Sequence, residues 1–249
     1  MPKSSPAPAA EPYFTRAALR FLAALARNNR REWFEPRKPE FERELKQPML
    51  ALIAELSRGM ESFAPAHLRP PQKTLMRIYR DTRFSSDKRP YKHHMAAWWS
   101  PDGLEKTSGA GFYLHIAANE TIIAAGVFMP EREQLRAIRT YLMEHHEEVR
   151  ALLADRALRR LMDSFSGEPL ARPPKGFPKE HPAMDLILCR QWGLSCAMKP
   201  ESALRSDFAS AVLRRFRLAA PLVHALNAPL LPPAGQRRAG PKSLLFGFR

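Results

Sequence analysis

The spacing of apolar residues predicts helices in the first quarter of the chain. Thr15 is a candidate N-cap, and leucines recur at helical spacing from Leu19 to Leu25. A second helical stripe extends from Phe41 to Leu56. Within it, Pro48 either kinks the helix or begins a new one, because proline supplies no N–H to a helix interior. We therefore expect the first ordered elements to be helices.

The apolar period then changes from helical spacing to alternation, which predicts strands. Short strand candidates occupy Leu75 to Tyr79 and Met95 to Ser100. The clearest signal is a hairpin in which Gly111 to Ala117 and Thr121 to Phe128 are joined by the three residues between them. These two strands are predicted to pair antiparallel.

Helical spacing returns after the hairpin. A helix is predicted to begin at Pro130-Glu131, and others at Ala151 to Met162 and Glu201 to Leu226, with a proline-rich loop at residues 167–178. This order predicts an α+β fold: a single domain with N-terminal helices, a central mostly antiparallel sheet and C-terminal helices.

The ends of the chain differ in composition from its centre. Residues 1–12 are rich in proline, alanine and serine, and we expect a disordered tail there. Residues 227–249 are expected to form a flexible basic tail. The single α+β domain is therefore predicted to span residues 13–226.

The positive charge of the chain is concentrated in two segments. The formal net charge is +15, of which residues 69–92 carry +6 and residues 237–249 carry +4. The other 212 residues share only +5. A focused positive patch attracts phosphates or carboxylates, so the first segment is the place to look for a ligand.

Several common kinds of site are not indicated. Cys189 and Cys196 lack the CxxC pair or histidine cluster of a zinc site, so we interpret them as apolar thiols and predict no metal and no cofactor. No apolar run could span a bilayer and the first residues lack the apolar core of a signal peptide, which predicts a cytoplasmic protein without a membrane partner. The familiar motifs of dinucleotide enzymes, P-loop NTPases and hydrolases are missing, so the sequence does not decide whether the protein is an enzyme. The sequence also leaves the oligomeric state open.

The segment from Arg77 to Lys92 carries the densest chemistry in the sequence. Arginine presents a planar fork of N–H donors that can hold two oxygens of one phosphate or carboxylate, and tyrosine can stack or hydrogen-bond. An extended backbone would place Arg77 and Tyr79 on one face and Ile78 on the other. The predicted ligand-binding residues are Arg77, Tyr79, Arg80, Arg83, Lys88, Tyr91 and Lys92.

Two carboxylates give the same segment a structural interpretation. Asp81 could pair with Arg80, and Asp87 with Lys88. These pairs would pin the loop over the sheet while Tyr79, Phe84 and Tyr91 pack beneath it. Alternatively, the carboxylates could orient the arginines toward a ligand, or Asp81 could act as a catalytic base. The pattern leaves both interpretations open.

His115 is the second catalytic candidate. In the predicted hairpin it shares a face with Tyr113 and not with Phe112, so it could lie on the side of the basic segment. A histidine near arginines could transfer protons or contact an anion, whereas a partly exposed sheet histidine without a function is the alternative. His93 and His94 follow the basic segment directly.

These residues also resemble the signature blocks of a protein family, the domain of unknown function 2461. The blocks are Asn29-x-Arg31-Glu32-Trp33-Phe34, Arg77 to Ser85, Asp87 to Lys92, Gly111 to Ile116, Pro174 to Phe177 and His181-Pro182. The resemblance covers roughly residues 13–226 and leaves both tails outside. It implies a single-domain, mostly bacterial protein and no established activity.

Three functions are compatible with these features. The leading hypothesis is a binding module or enzyme whose arginine-rich pocket holds an anionic, phosphate-bearing ligand. The second is nucleic-acid binding, with Arg237, Arg238, Lys242 and Arg249 of the tail assisting the basic segment. The third is a structural or interaction protein whose charged loop forms a partner interface.

Overall fold

A computed structural model describes residues 11–231, except residues 84, 105, 106, 166 and 168. The two predicted tails fall mostly on residues 1–10 and 232–249, which lie outside the described residues, as does Phe84. Within the described ranges, none of the helices combines the length and the apolar character needed to cross a bilayer.

Helices and one antiparallel sheet make up the described chain, which confirms the predicted α+β class. The α-helices are α1 (Arg16–Arg27), α2 (Arg31–Phe34), α3 (Lys38–Phe41), α4 (Gln47–Met60), α5 (Pro71–Thr74), α6 (Arg132–Leu153), α7 (Arg156–Arg159), α8 (Met184–Ile187) and α9 (Phe208–Asn227). The strands are β1 (His94–Trp99), β2 (Gly111–Ala117), β3 (Thr121–Val127), β4 (Asp163–Phe165) and β5 (Trp192–Met198). Short 3₁₀ turns lie at Glu35–Arg37, Pro65–His67 and Pro200–Leu204, and a π-helical turn lies at Glu42–Lys46.

The N-terminal helices begin where the sequence predicts. The Thr15 side chain accepts the N–H of Ala17 at 3.2 Å and caps α1. Pro48 is the second residue of α4 and directly follows the π-helical turn. The backbone is already helical at Lys46, and the Gln47 N–H donates to the Glu42 carbonyl, so no separate helix begins at this proline.

The sheet has the strand order β1-β2-β3-β5-β4, with every neighbouring pair antiparallel. The predicted hairpin is confirmed as β2 and β3, which pair from Gly111 with Gly126 to Ile116 with Thr121. β5 returns from far along the chain to lie beside β3, and neither β5 nor β4 was predicted from the sequence.

The two faces of the sheet differ. On one face, Trp99 of β1 and Phe112 of β2 lie 5.4 Å and 5.0 Å from the ring of Phe216 in α9, measured between ring centroids, and this face forms the main core. Tyr113 and His115 alternate with the core residues and lie on the opposite face.

Three predicted elements differ from the structure. The helix predicted from Glu201 to Leu226 begins only at Phe208, as α9, after a 3₁₀ turn at Pro200–Leu204. Leu75 to Tyr79 is not a continuous strand, because only its first residues lie along the edge of β1: Leu75 bridges Ala97, and the Met76 N–H donates to the Ala96 carbonyl at 2.8 Å. The chain then leaves that edge. The helix expected over residues 151–162 is also wrong in its bounds, since α6 continues to Leu153 and only α7 follows.

Candidate functional site

The basic segment, residues 77–92, forms a closed loop that we call the arginine loop. Tyr79 and Tyr91 form an isolated antiparallel bridge at its base. The Arg80 N–H donates to the Pro90 carbonyl at 2.9 Å, and the Lys92 N–H donates to the Ile78 carbonyl at 2.7 Å. The loop therefore leaves and rejoins the fold at one point, with its charged residues between.

Tyr91 anchors the base of the loop to the N-terminal helices. Its side chain is fully buried and stacks on Phe34 with ring centroids 4.2 Å apart. The Asn29 side chain donates to the Tyr91 carbonyl at 2.9 Å and accepts the Tyr91 N–H at 3.0 Å. Burial raises the pKa of the Tyr91 phenol. In this conformation the ring of Tyr91, one of the predicted ligand contacts, is out of reach of a ligand.

Asp87 holds two arginines at once. Its carboxylate accepts several hydrogen bonds from Arg89, and the shortest of the bonds from Arg89 is 2.7 Å long. It also accepts a hydrogen bond from Nη1 of Arg80. These hydrogen bonds, that from Arg89 first, lower the pKa of Asp87 far below its usual range. The pairing of Asp87 with Lys88, one of the two interpretations of this segment, is not formed, because Nζ of Lys88 donates instead to the Thr82 carbonyl at 3.0 Å.

Asp81 is paired with Arg83 and not with its neighbour Arg80, the partner considered in the structural interpretation. Nε and Nη2 of Arg83 donate to the two carboxylate oxygens at 3.0 and 2.8 Å. The side-chain hydrogen bonds from Arg83 lower the pKa of Asp81 to about 2. Such a carboxylate is a weak base at neutral pH, since an efficient general base has a pKa near the working pH.

Charge remains in the loop after these pairs are formed. Residues 77–92 carry six basic and two acidic side chains, a net charge of +4. Arg77 is exposed and has no hydrogen bond or ion pair within the described residues, and the side chain of Tyr79 is 43% exposed. Lys92 is partly buried. The predicted separation of Arg77 and Tyr79 from the buried Ile78 is confirmed.

A histidine patch lies beyond the end of the loop. The rings of His94 and His115 stack with centroids 4.5 Å apart and planes 12° apart. Tyr113 Oη lies 3.3 Å from His115 Nδ1, and His115 Nε2 lies 3.9 Å from the Glu120 carboxylate. His94 was not among the predicted site residues. It comes close to His115 through the register of β1 against β2, and this register cannot be read from sequence spacing alone.

Burial keeps both stacked histidines neutral. It lowers the pKa of His94 to about 3, with a smaller effect from His115, and it also lowers the pKa of His115. Burial raises the pKa of Tyr113 to about 12. At neutral pH the side chains of His94, His115 and Tyr113 are therefore uncharged. Among the described residues, His115 makes no hydrogen bond or ion pair with Arg77, Arg80 or Arg83.

The structure brings the predicted residues into two neighbouring groups. The arginine loop offers guanidinium groups for an anion, and the histidine patch offers neutral nitrogens on the sheet face. Cys189 and Cys196 are free thiols, as expected. Among the described residues, no group of three or more His, Cys, Asp or Glu side chains is arranged to hold a metal ion.

Comparison with known families now gives this arrangement a context. Residues 17–224 match the model of a family described as "Conserved hypothetical protein (DUF2461)". The chain belongs to this family. The DUF2461 match includes the arginine loop, the histidine patch and the Asn29 anchor. Comparison with curated proteins gives no match.

Proposed function

We propose that this DUF2461 protein binds a phosphate-bearing anion at the arginine loop. The observation that carries the proposal is the imbalance of charge there. Six basic side chains accompany two carboxylates, and both carboxylates are already engaged by arginines. A net charge of +4 within sixteen residues attracts anions, and phosphate matches the fork of an arginine.

The ion pairs of the loop support binding by fixing the guanidinium groups in advance. Arg83 donates through Nε and Nη2 to Asp81, and Arg80 uses one N–H on Asp87, which leaves Arg80 further donors for a ligand. Side chains that are already ordered lose less conformational entropy when a ligand binds. The aspartates therefore orient the arginines, and Arg77 adds an exposed cation that makes no ion pair within the described residues.

The test is isothermal titration of pyrophosphate and of adenosine monophosphate into the folded protein. We expect Arg77→Ala and Arg83→Ala each to weaken binding by ~10-fold, because a hydrogen bond to a charged group contributes on the order of 1.5–3 kcal/mol. The matched control is Arg205→Ala. Arg205 is exposed and donates through Nε and Nη2 to Asp207 at 2.8 Å each, with the same two-residue spacing as Arg83 and Asp81.

Two results would contradict the proposal. One is undiminished binding in both loop variants while their melting curves stay native. The other is the lack of measurable binding of either compound to the unaltered protein at millimolar concentration. A loss of binding in Arg205→Ala equal to that in the loop variants would show a general effect of net charge and would also count against the loop.

A second function, binding of single-stranded nucleic acid, is favoured by one observation. Tyr79 exposes 43% of its surface beside the unpaired Arg77, and an exposed aromatic ring next to a cation is suited to stack on a base. Fluorescence anisotropy with a labelled oligonucleotide tests it. If about four phosphates are neutralised, the logarithm of the affinity should fall against the logarithm of salt concentration with a slope of about −3. Undetectable binding at low salt would reject this function.

A further inference from the structure

We infer that a second site, a cationic cleft beside α6, binds a small organic phosphate. The cleft has a volume of about 730 Å³ and lies between the first turns of α6 and residues 174–177. Pockets of this size hold small ligands. Its basic lining consists of Arg132, Arg136, Arg139 and Lys175. We call it the α6 cleft.

The sequence builds both walls of the α6 cleft. Arg132, Arg136 and Arg139 follow one another at spacings of four and three residues, which places them on one face of the helix. The other wall is a turn in which the Phe177 N–H donates to the Pro174 carbonyl at 3.2 Å. Gly176 has a φ of 91°, a conformation that glycine adopts without strain. This turn is one of the segments that resemble the family's signature blocks.

Arg139 is the residue that points to a ligand. Its side chain is only 6% exposed, yet no carboxylate of the described chain lies within ion-pairing distance. Nη2 donates to the Cys189 carbonyl at 2.9 Å, and Nε is buried without a hydrogen-bond partner among the described residues. Burial and the nearby Arg190 lower its pKa. Buried charges in proteins are normally paired, and a bound anion would supply the counter-charge that is missing here.

The rest of the lining strengthens the preference for an anion. Glu133 is the acidic side chain of the lining, and it forms no ion pair within the described residues. The four cations are therefore opposed by one carboxylate, a net charge of +3. A phosphate dianion held by more than one cation fits this lining better than a singly charged group.

The neighbourhood of the α6 cleft also offers an apolar surface. Leu135 lines both the cleft and an adjoining cavity of about 540 Å³, whose walls include Phe128, Met129 and Pro130. Met129 is 69% exposed and adds apolar surface to the wall of this cavity. A ligand with its phosphate on Arg139 and an apolar body against Leu135 would use both surfaces. The site therefore fits an alkyl or aryl phosphate monoester better than inorganic phosphate.

The α6 cleft is separate from the arginine loop. Arg139 bonds to the carbonyl of Cys189, just before β5, whereas the arginine loop follows residues that lie along β1. In the strand order β1-β2-β3-β5-β4 these two strands are not neighbours. Substitutions in the α6 cleft can therefore be made without altering the arginine loop.

Titration calorimetry with phenyl phosphate, alongside inorganic phosphate, tests the inference on the full chain. The unaltered protein should bind phenyl phosphate at least ~10-fold more tightly than inorganic phosphate, since a buried phenyl ring adds apolar contact. Arg139→Met, which keeps the length of the side chain and removes its charge, should weaken phenyl phosphate binding by ~10-fold or more. Arg205→Ala, which removes an exposed arginine that belongs to neither site, should leave it unchanged.

A second variant keeps the test decisive if Arg139→Met does not fold. Arg132 and Arg136 are exposed, so the double variant Arg132→Ala and Arg136→Ala should fold and should still lose ~10-fold in affinity. Unchanged affinity in the double variant, or no binding to the unaltered protein at millimolar concentration, would overturn the site. Equal affinity for inorganic phosphate would overturn the predicted ligand class. A loss in Arg77→Ala alone would assign the binding to the arginine loop and overturn the inference.

Discussion

Replacing Asn29 by alanine removes the side chain that ties the arginine loop to the N-terminal helices. Two hydrogen bonds are lost, one from Asn29 Nδ2 to the Tyr91 carbonyl at 2.9 Å and one from the Tyr91 N–H to Asn29 Oδ1 at 3.0 Å. Tyr91 is fully buried, so both of its backbone groups are left without a partner. At roughly 1–3 kcal/mol for each unsatisfied group, we expect the free energy of unfolding to fall by at least about 2 kcal/mol.

Urea denaturation followed by circular dichroism measures this loss directly. For a domain of this size, a loss of about 2 kcal/mol should lower the melting temperature by roughly 4–8 °C. The matched control is Asn28→Ala, because Asn28 is the neighbouring asparagine and its side chain makes one local hydrogen bond, to the Ala24 carbonyl at 2.9 Å. The control should lose on the order of 1 kcal/mol.

The substitution of Asn29 should also affect ligand binding. Loosening the base of the loop should weaken pyrophosphate binding in Asn29→Ala, although Asn29 lies outside the charged residues. A loss of stability below about 0.5 kcal/mol, or a loss no larger than that of Asn28→Ala, would refute the role of Asn29 as an anchor, because surface substitutions commonly fall in that range.

Three further predictions concern pH and packing. The ion pairs lower the pKa of Asp87, so the Asp87 carboxylate stabilises the fold fully above its unfolded pKa of about 4, and this stabilisation is lost as the pH falls toward the folded pKa. At pH 7, Asp87→Asn should therefore have a lower melting temperature than the unaltered protein. At about pH 3, the difference between the two melting temperatures should be smaller. His94 has a pKa of about 3 in the folded protein, so below pH 6.5 this residue binds a proton in the unfolded chain but not in the folded one. Urea titrations should therefore show that the free energy of unfolding falls by about 2 kcal/mol between pH 7 and pH 5. His94→Phe should lack this loss. Equal losses in both proteins would contradict that assignment. Gly126→Ala should cost at least about 2 kcal/mol in urea titrations, because its φ is 145° and a Cβ would meet the backbone of Trp192 and Gly193, whereas an exposed control, Gly103→Ala, has open space around its Cβ and should lose less.

Local sequence patterns predicted the elements whose partners are close along the chain. The β2–β3 hairpin follows from the alternation of apolar residues on both sides of a short turn. The start of α1 follows from Thr15, because a capping hydroxyl acts within one turn of the helix. β5 was missed for the opposite reason. It pairs with β3 across about seventy residues, so its identity as a strand depends on the assembled sheet.

The sequence predicted where the charged residues of the arginine loop lie, but not which arginine pairs with which aspartate. The structural interpretation considered pairs between neighbours in sequence, such as Arg80 with Asp81. In a non-helical loop, adjacent side chains point to different sides, and Arg80 instead reaches Asp87, seven residues away. The stack of His94 on His115 depends on strand register in the same way. The burial of Arg139 could not be predicted from the sequence, because a buried arginine on a helix has the same spacing as an exposed one.

The short contact of Leu75 and Met76 with β1 has a consequence for self-association. β1 is an outer strand of the sheet, and the unpaired backbone groups of outer strands can recruit a strand from another molecule. Leu75 and Met76 cover part of that edge, and on the other side β4 is only three residues long. The residues that lead into the arginine loop thus also shield the sheet. Variants that release the loop from its anchor are expected to aggregate before they unfold completely, which light scattering during heating would reveal.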